Sequence, residues 1–326
     1  MICEVRKTVV VCAVLLALLV VAPVTFAGFR MRSYSLMGIN RLVMADVARF
    51  YGMKFGRRGK SVTLTSRYST LEFKLPKREV SLNGVTVNLC HAVAEVKGLV
   101  LISEMDFRKV LDPVLRKWSL PRRRVNRIVL DPGHGGRDPG CRGKNVIEKD
   151  LTLTVSKLVA AILRQHGFEV MLTRDTDRGR DLEERTALAR KYRADVFISI
   201  HANAVGSSAV SGLETFVLAP EGAPSTYSNR INEKARPGNV FDKENMRLGY
   251  EIQRNGMRRT AADDRGVKHA NFVVLRDSPC PAALVEIGFL TNRSEEFRLS
   301  TRAYQAKVAL GIAEGVLAFR NAVAVE

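Results

Sequence analysis

Hydrophobic and polar positions change period along the chain, and the changes divide it. From Arg41 to Tyr51 the apolar residues Val43, Val47, Phe50 and Tyr51 fall at helical intervals, and Gly52 stops the pattern. The period then becomes two: Val62 and Leu64, Leu71, Phe73 and Leu75, then Val80 and Leu82 alternate with polar residues. Asn83-Gly84 before Val85, Val87 and Leu89 is a tight-hairpin signal. These features predict a small α+β module over residues 28–117. The basic stretch KWSLPRRR follows, its Pro121 and three arginines reading as an exposed linker over 118–125.

From Asn126 strands and helices alternate. Strands are predicted at Arg127–Leu130, Phe168–Leu172, Val196–Ile200, Leu213–Leu218, Phe272–Leu275 and Ala282–Val285. Helices are predicted around Leu151–Ile162, Leu182–Tyr192, Met246–Thr260 and Tyr304–Phe319. Alternation at these lengths predicts an α/β fold over residues 126–322, a mainly parallel sheet with helices on both faces. Pro220 to Asn245 is rich in Gly, Pro, Ser, Asn and charge, a long loop for a compact domain and a candidate substrate-side flap or insertion.

At the N-terminus, Arg6 and Lys7 precede an apolar run from Val9 to Ala22, then Pro23 and small residues up to Ala27. Residues 1–27 therefore read as a cleaved secretory signal. The run is shorter than the roughly 20 residues that span a bilayer, so membrane contact is expected only if the signal stays uncut. Beyond it remain Cys90, Cys141 and Cys280, an odd number without CxxC spacing, which argues against a disulfide framework. The whole chain has 326 residues, 46% of them hydrophobic, enough for two cored domains, and carries 52 Lys+Arg against 33 Asp+Glu, net +19. Such a charge points to anionic surroundings. Without an aromatic-basic motif it does not indicate nucleic acid, and for an exported chain it suggests anionic envelope polymers.

Ligands in open α/β sheets gather beyond the carboxyl ends of the strands. There the first strand runs into DPGHGGRDPG with His134, FISIHAN delivers His201 and Asn203, and ALVEIGFLTN delivers Glu286. Glu148, opening the first long helix, joins them. Two imidazoles, one carboxylate and an open position form a catalytic zinc set. Glu148 is assigned to the metal and Glu286 to proton transfer, because amide hydrolysis needs a group that takes a proton from water and gives it to the leaving amine. Asp131, Asn203 and Arg265 are candidates to orient a ligand or touch substrate. DPGHGG lacks the spacing of phosphate-binding loops. Cys141 is read as noncoordinating, and His166 and His269 as solvated.

These segments, together with VIEKDLTL, MLTRDTD and RGVKHANFVVL, resemble in order and spacing the zinc-dependent N-acetylmuramoyl-L-alanine amidases of bacterial cell-wall remodelling. The resemblance implies a sheet of about six strands and one zinc. It implies hydrolysis of the amide between N-acetylmuramic acid and the L-alanine of the peptidoglycan stem, with His134, Glu148 and His201 as ligands and Glu286 as the catalytic glutamate. The N-terminal module weakly resembles a small envelope-associated module first described beside copper amine oxidases, which implies a binding or spacer role. Two rival readings are a noncatalytic envelope-binding protein on this fold and a zinc carboxypeptidase acting within the stem.

Overall fold

The computed structural model describes residues 19–325 except 229, 230 and 232. The leader reading thus falls mostly on residues 1–18, outside those described, while Leu19–Phe26 form strand β1. β1 pairs antiparallel with β2 (Phe29–Leu36), and the sheet continues through β3 (Ile39–Val43), whose chain then turns into helix α1 (Met44–Phe50). A meander follows: β4 (Lys54–Arg58), β5 (Ser61–Thr65), β6 (Thr70–Lys74), β7 (Glu79–Leu82) and β8 (Val85–Asn88). Asn83 and Gly84, at φ +51° and +82°, form the hairpin turn their dipeptide announces. β9 (Ala94–Val96) and β10 (Leu99–Ser103) complete a five-stranded antiparallel sheet, β1-β2-β3-β10-β9. A helical turn at Asp106–Leu111 then runs into α2 (Asp112–Leu115).

The second part contains β11 (Arg127–Pro132), α3 (Glu148–Gln165), β12 (Glu169–Leu172), α4 (Leu182–Tyr192), β13 (Val196–Asn203) and β14 (Leu213–Leu218). It continues with α5 (Asp242–Thr260), β15 (Asp264–Ala270), α6 (Val273–Arg276), β16 (Ala282–Phe289), α7 (Arg293–Ser300) and α8 (Arg302–Val323). Its six strands lie in the order β12-β11-β13-β16-β14-β15, parallel except where β14 meets β16. Both faces are covered, which is why a strand such as VFISI is buried at every position and apolar at all but Ser199. Ile198 and Ile200 pack with Val155 and Leu163 of α3, Ile252 of α5 and Val316 of α8. Val129, Phe197 and Phe216 pack on the other face with Ala189 of α4 and Leu275 of α6.

Two expectations need correction here. Phe272–Leu275 does not form a strand; Val273–Arg276 is a helical turn and the strand lies earlier, at Asp264–Ala270. A four-residue apolar run fits either conformation, and the true strand was hidden by its polar residues. His269 is not solvated but 2% exposed, its Nε2 3.1 Å from the carbonyl of Asn88.

That contact belongs to a junction. β15 pairs parallel with β8, Val267 against Val87, so the six strands continue without a break through β8-β7-β6-β5-β4 into an eleven-stranded sheet. The Thr86 amide donates to Asp264 (2.6 Å) and Asn88 Nδ2 to the Val267 carbonyl (3.2 Å). Gly266, at φ +83°, lets the backbones approach where a Cβ would strike the Thr86 carbonyl. Val217, Met246, Tyr250 and Val267 sit in one core with Phe73, Leu82 and Phe107 of the module. Along the basic stretch Leu120 and Val125 are buried, and the Arg123 amide donates to the Val323 carbonyl at 2.8 Å. No helix among the described residues is long and apolar enough to cross a membrane.

Candidate active site

The carboxyl edge of β11, β13 and β16 gathers the candidate chemistry. His201 and Glu286 are backbone partners on β13 and β16, and Glu286 in turn faces Glu214 on β14. His134 stands two residues past β11 at φ +60°, between glycines. A Cβ on Gly133 would collide with the His201 ring, and one on Gly140 with Glu148 and the His134 ring, so both positions need glycine. Glu148 is the first residue of α3, where a carboxylate meets the positive end of the helix.

The three side chains converge. Glu148 Oε1 lies 3.0 Å from His134 Nε2 and 2.9 Å from His201 Nδ1, and one ligand atom from each residue lies within 4.8 Å of the others. Glu148 is 2% exposed and its second oxygen accepts the Cys141 amide at 2.7 Å. Burial alone would raise its pKa, but the hydrogen bonds from the two imidazoles outweigh it and hold the carboxyl well below the usual range. Burial pulls His134 down, and the bonds and charges of Glu148 and Asp138 more than compensate, leaving it raised. Two nitrogens and one carboxylate oxygen, already held together in a half-buried pocket, match the donor set of a divalent metal such as zinc. Cys141 does not compete: burial and Glu148 push its thiol up to about 11.

Glu286 completes the group. Its Oε2 is buried and has no hydrogen-bond partner among the described residues. Burial first, then the Glu148 and Glu214 charges, push its carboxyl well above the usual range, against the pull of Lys268. His134, His201 and Glu286 open into a cleft of about 1060 Å³.

Sequence similarity agrees with this geometry. Residues 128–318 match the N-acetylmuramoyl-L-alanine amidase family. The chain belongs to that family. AmiA of Escherichia coli K12 is 35% identical over 217 residues, 59% of this chain and 75% of AmiA. AmiA of Salmonella typhimurium LT2 is 32% identical over 282 residues, 79% of this chain and 92% of that protein, so likeness extends beyond the amidase segment. Among solved structures, an N-acetylmuramoyl-L-alanine amidase from Clostridium difficile 630 superposes with a TM-score of 0.52 at 33% identity, covering 61% of this chain and 98% of that one. AmiC2 of Nostoc punctiforme gives 0.50 at 36%, covering 59% and 95%.

The supporting candidates of this amidase sit one layer away from His134, Glu148 and His201. Asp131 touches neither imidazole. It is fully buried, accepts from Thr173 and Ser199, and binds Arg185, whose guanidinium also donates to the carbonyls of Pro132 and His134. Asn203 donates to Glu214 Oε1 at 3.0 Å rather than to a metal-site residue, and Arg265 donates to Glu214 Oε2 at 3.1 Å.

Four contributors escaped the sequence reading. Asp138 Oδ2 sits 2.7 Å from His134 Nδ1 and orients the ring; the second DPG of DPGHGGRDPG was its only signal. Arg174 donates to the carbonyls of Pro132, Gly133 and Lys149, clamping the glycine loop to α3. Glu214 is the hub of a buried network that also takes Lys268, and Lys268 meets the hydroxyl of Tyr227 from the 220–245 loop. The loop is thus tied down at this point, and Thr226 exchanges two hydrogen bonds with the backbone of His269. Groups that orient a metal-site imidazole commonly contribute 10- to 100-fold to metal affinity. Asp138→Asn should weaken zinc binding by about that factor, measured by competition with a chromophoric chelator.

Proposed function

We propose that this chain is a zinc-dependent N-acetylmuramoyl-L-alanine amidase that cuts peptidoglycan between the muramoyl group and the L-alanine of the stem. His134, Glu148 and His201 would hold the metal, and Glu286 would move the proton. The observation that carries this reading is the convergence of three metal-donor atoms beside a buried carboxyl group with an unpartnered oxygen.

When bound, zinc acts as a Lewis acid that acidifies water and polarises the scissile carbonyl. The protein's own groups supply the rest. Asp138 fixes the His134 ring so that Nε2 faces the site, and the Cys141 and Ala202 amides hold Oε2 and Oε1 of Glu148, with Oε1 turned toward the two imidazoles. Glu286, whose basicity is raised by burial, accepts the proton of the attacking water and returns it to the departing alanine nitrogen. Arg174 and Arg185 keep the glycine loop from shifting by saturating its carbonyls.

Export is part of the proposal, with residues 1–27 as the leader and the cell envelope as the place of action, where the positive charge of the chain meets anionic polymer. β1 lies within that leader, and its Phe26 packs edge-on against Phe50 and Phe107 at 5.5 and 5.1 Å. N-terminal sequencing of the exported protein shows whether β1 is kept.

The chemistry is tested on purified peptidoglycan. An amidase releases intact stem peptides with a new N-terminal alanine and no reducing sugar, whereas a carboxypeptidase releases single amino acids. Mass spectrometry of the soluble products separates them, and absence of both would leave only a binding role.

A further inference from the structure

The cleft that leads away from His134, His201 and Glu286 is chemically mixed. Its lining brings together Arg137 of the glycine loop and Arg180 just before α4 with the apolar residues Leu182, Phe272 and Val273. Leu182 and Phe272 are 49% and 41% exposed, large apolar groups left open to solvent inside the groove.

Apart from Glu286, the acids in this cleft are held by hydrogen bonds within the protein. Asp138 accepts from His134 and from the Gly140 amide. Asp181 and Glu184 bind each other's backbone in the capping box that starts α4. The cations are not: Arg137 makes no hydrogen bond or ion pair among the described residues, and Arg180 uses only Nε, on the Thr173 carbonyl. The groove therefore offers two guanidinium groups without an ion-pair partner among the described residues, together with exposed apolar surface. Arginine presents a planar fork that matches a carboxylate, and in a cleft that match serves selection.

We propose that Arg137 and Arg180 read a free carboxylate on the stem peptide, one residue beyond the scissile amide, so that this enzyme prefers stems whose second residue is an unamidated acid. The inference rests on the amidase reading above. Arg137 lies three residues from His134, at most about 10 Å along an extended chain, and both residues line the same cleft. Each stem residue advances by about 3.5 Å when extended, so a carboxylate one residue past L-alanine stays within that span. The apolar residues of the lining would receive the alanine methyl and the aliphatic part of the next side chain.

Two synthetic N-acetylmuramoyl tripeptides, identical except that the second residue's carboxyl is free or amidated, test this with the zinc-loaded full chain. The free acid should be cut with a kcat/KM about tenfold higher, mainly through KM, and Arg137→Gln should bring the ratio to within about twofold. Arg180→Lys, which keeps the charge but loses the fork, should narrow it partially. Equal cutting of both substrates by the wild type overturns the proposal while leaving the amidase reading in place. So does a variant that slows both substrates equally. Cutting of neither substrate, with peptidoglycan also untouched, overturns the amidase reading and this inference with it.

Discussion

Glu286→Gln should lower amide hydrolysis by about 10²- to 10⁴-fold, the usual contribution of a positioned general base, while leaving zinc stoichiometry unchanged. Glutamine fills the same volume on β16 but neither accepts nor returns a proton. The buried Oε2 of Glu286 has no partner among the described residues, and its neighbours across the sheet include a second carboxylate, Glu214. Removing that charge should therefore not lower the thermal midpoint and should raise it in metal-free protein, because an uncompensated buried carboxylate opposes folding. Loss of activity together with preserved or increased stability separates a catalytic role from a structural one. A Glu286→Gln protein that still releases stem peptide at the wild-type rate would sink the assignment.

The second large effect is expected on stripping the metal. Chelation should reduce hydrolysis to background, and stoichiometric Zn²⁺ should restore it. Binding to the folded site alone also stabilises, by about 2.7 kcal/mol when free metal is a hundred times Kd. Zinc should therefore raise the melting temperature of the wild type but not of Glu148→Ala. In that variant His134 and His201 lose the oxygen they share, and the Cys141 amide loses its acceptor. If chelated protein cut as fast as before, or if Glu148→Ala bound zinc like the wild type, the three residues would not be the metal's holders.

The ligand-type residues were legible because each interrupts a pattern. His134 stands among glycines, His201 and Glu286 each follow a largely apolar stretch of strand, and Glu148 opens a helix with a clear 3.6 period. Glu214 and Lys268 were not, since an acid in LETFVL and a lysine in DRGVKHA look like the solvent-facing positions of alternating strands. Only the neighbouring strands reveal that both are buried, 1% and 5% exposed, and neutralise each other. The same polarity hid β15 itself. The predicted sheet over residues 126–322 is present with six strands, mainly parallel, and the reversal of β14 against β16 left no mark in its sequence. Pairing of β15 with β8 is a tertiary matter between segments nearly 180 residues apart, and no local pattern encodes it.

That pairing removes any swivel between the two parts. A tethered anchor would let a catalytic head roam over a sphere set by its leash, whereas here whatever the module rests on sees the cleft at one standoff and one tilt, as with a caliper jaw. Lengthening residues 118–125 should therefore change the distance from module to cleft very little, because β8 and β15 hold the two parts together.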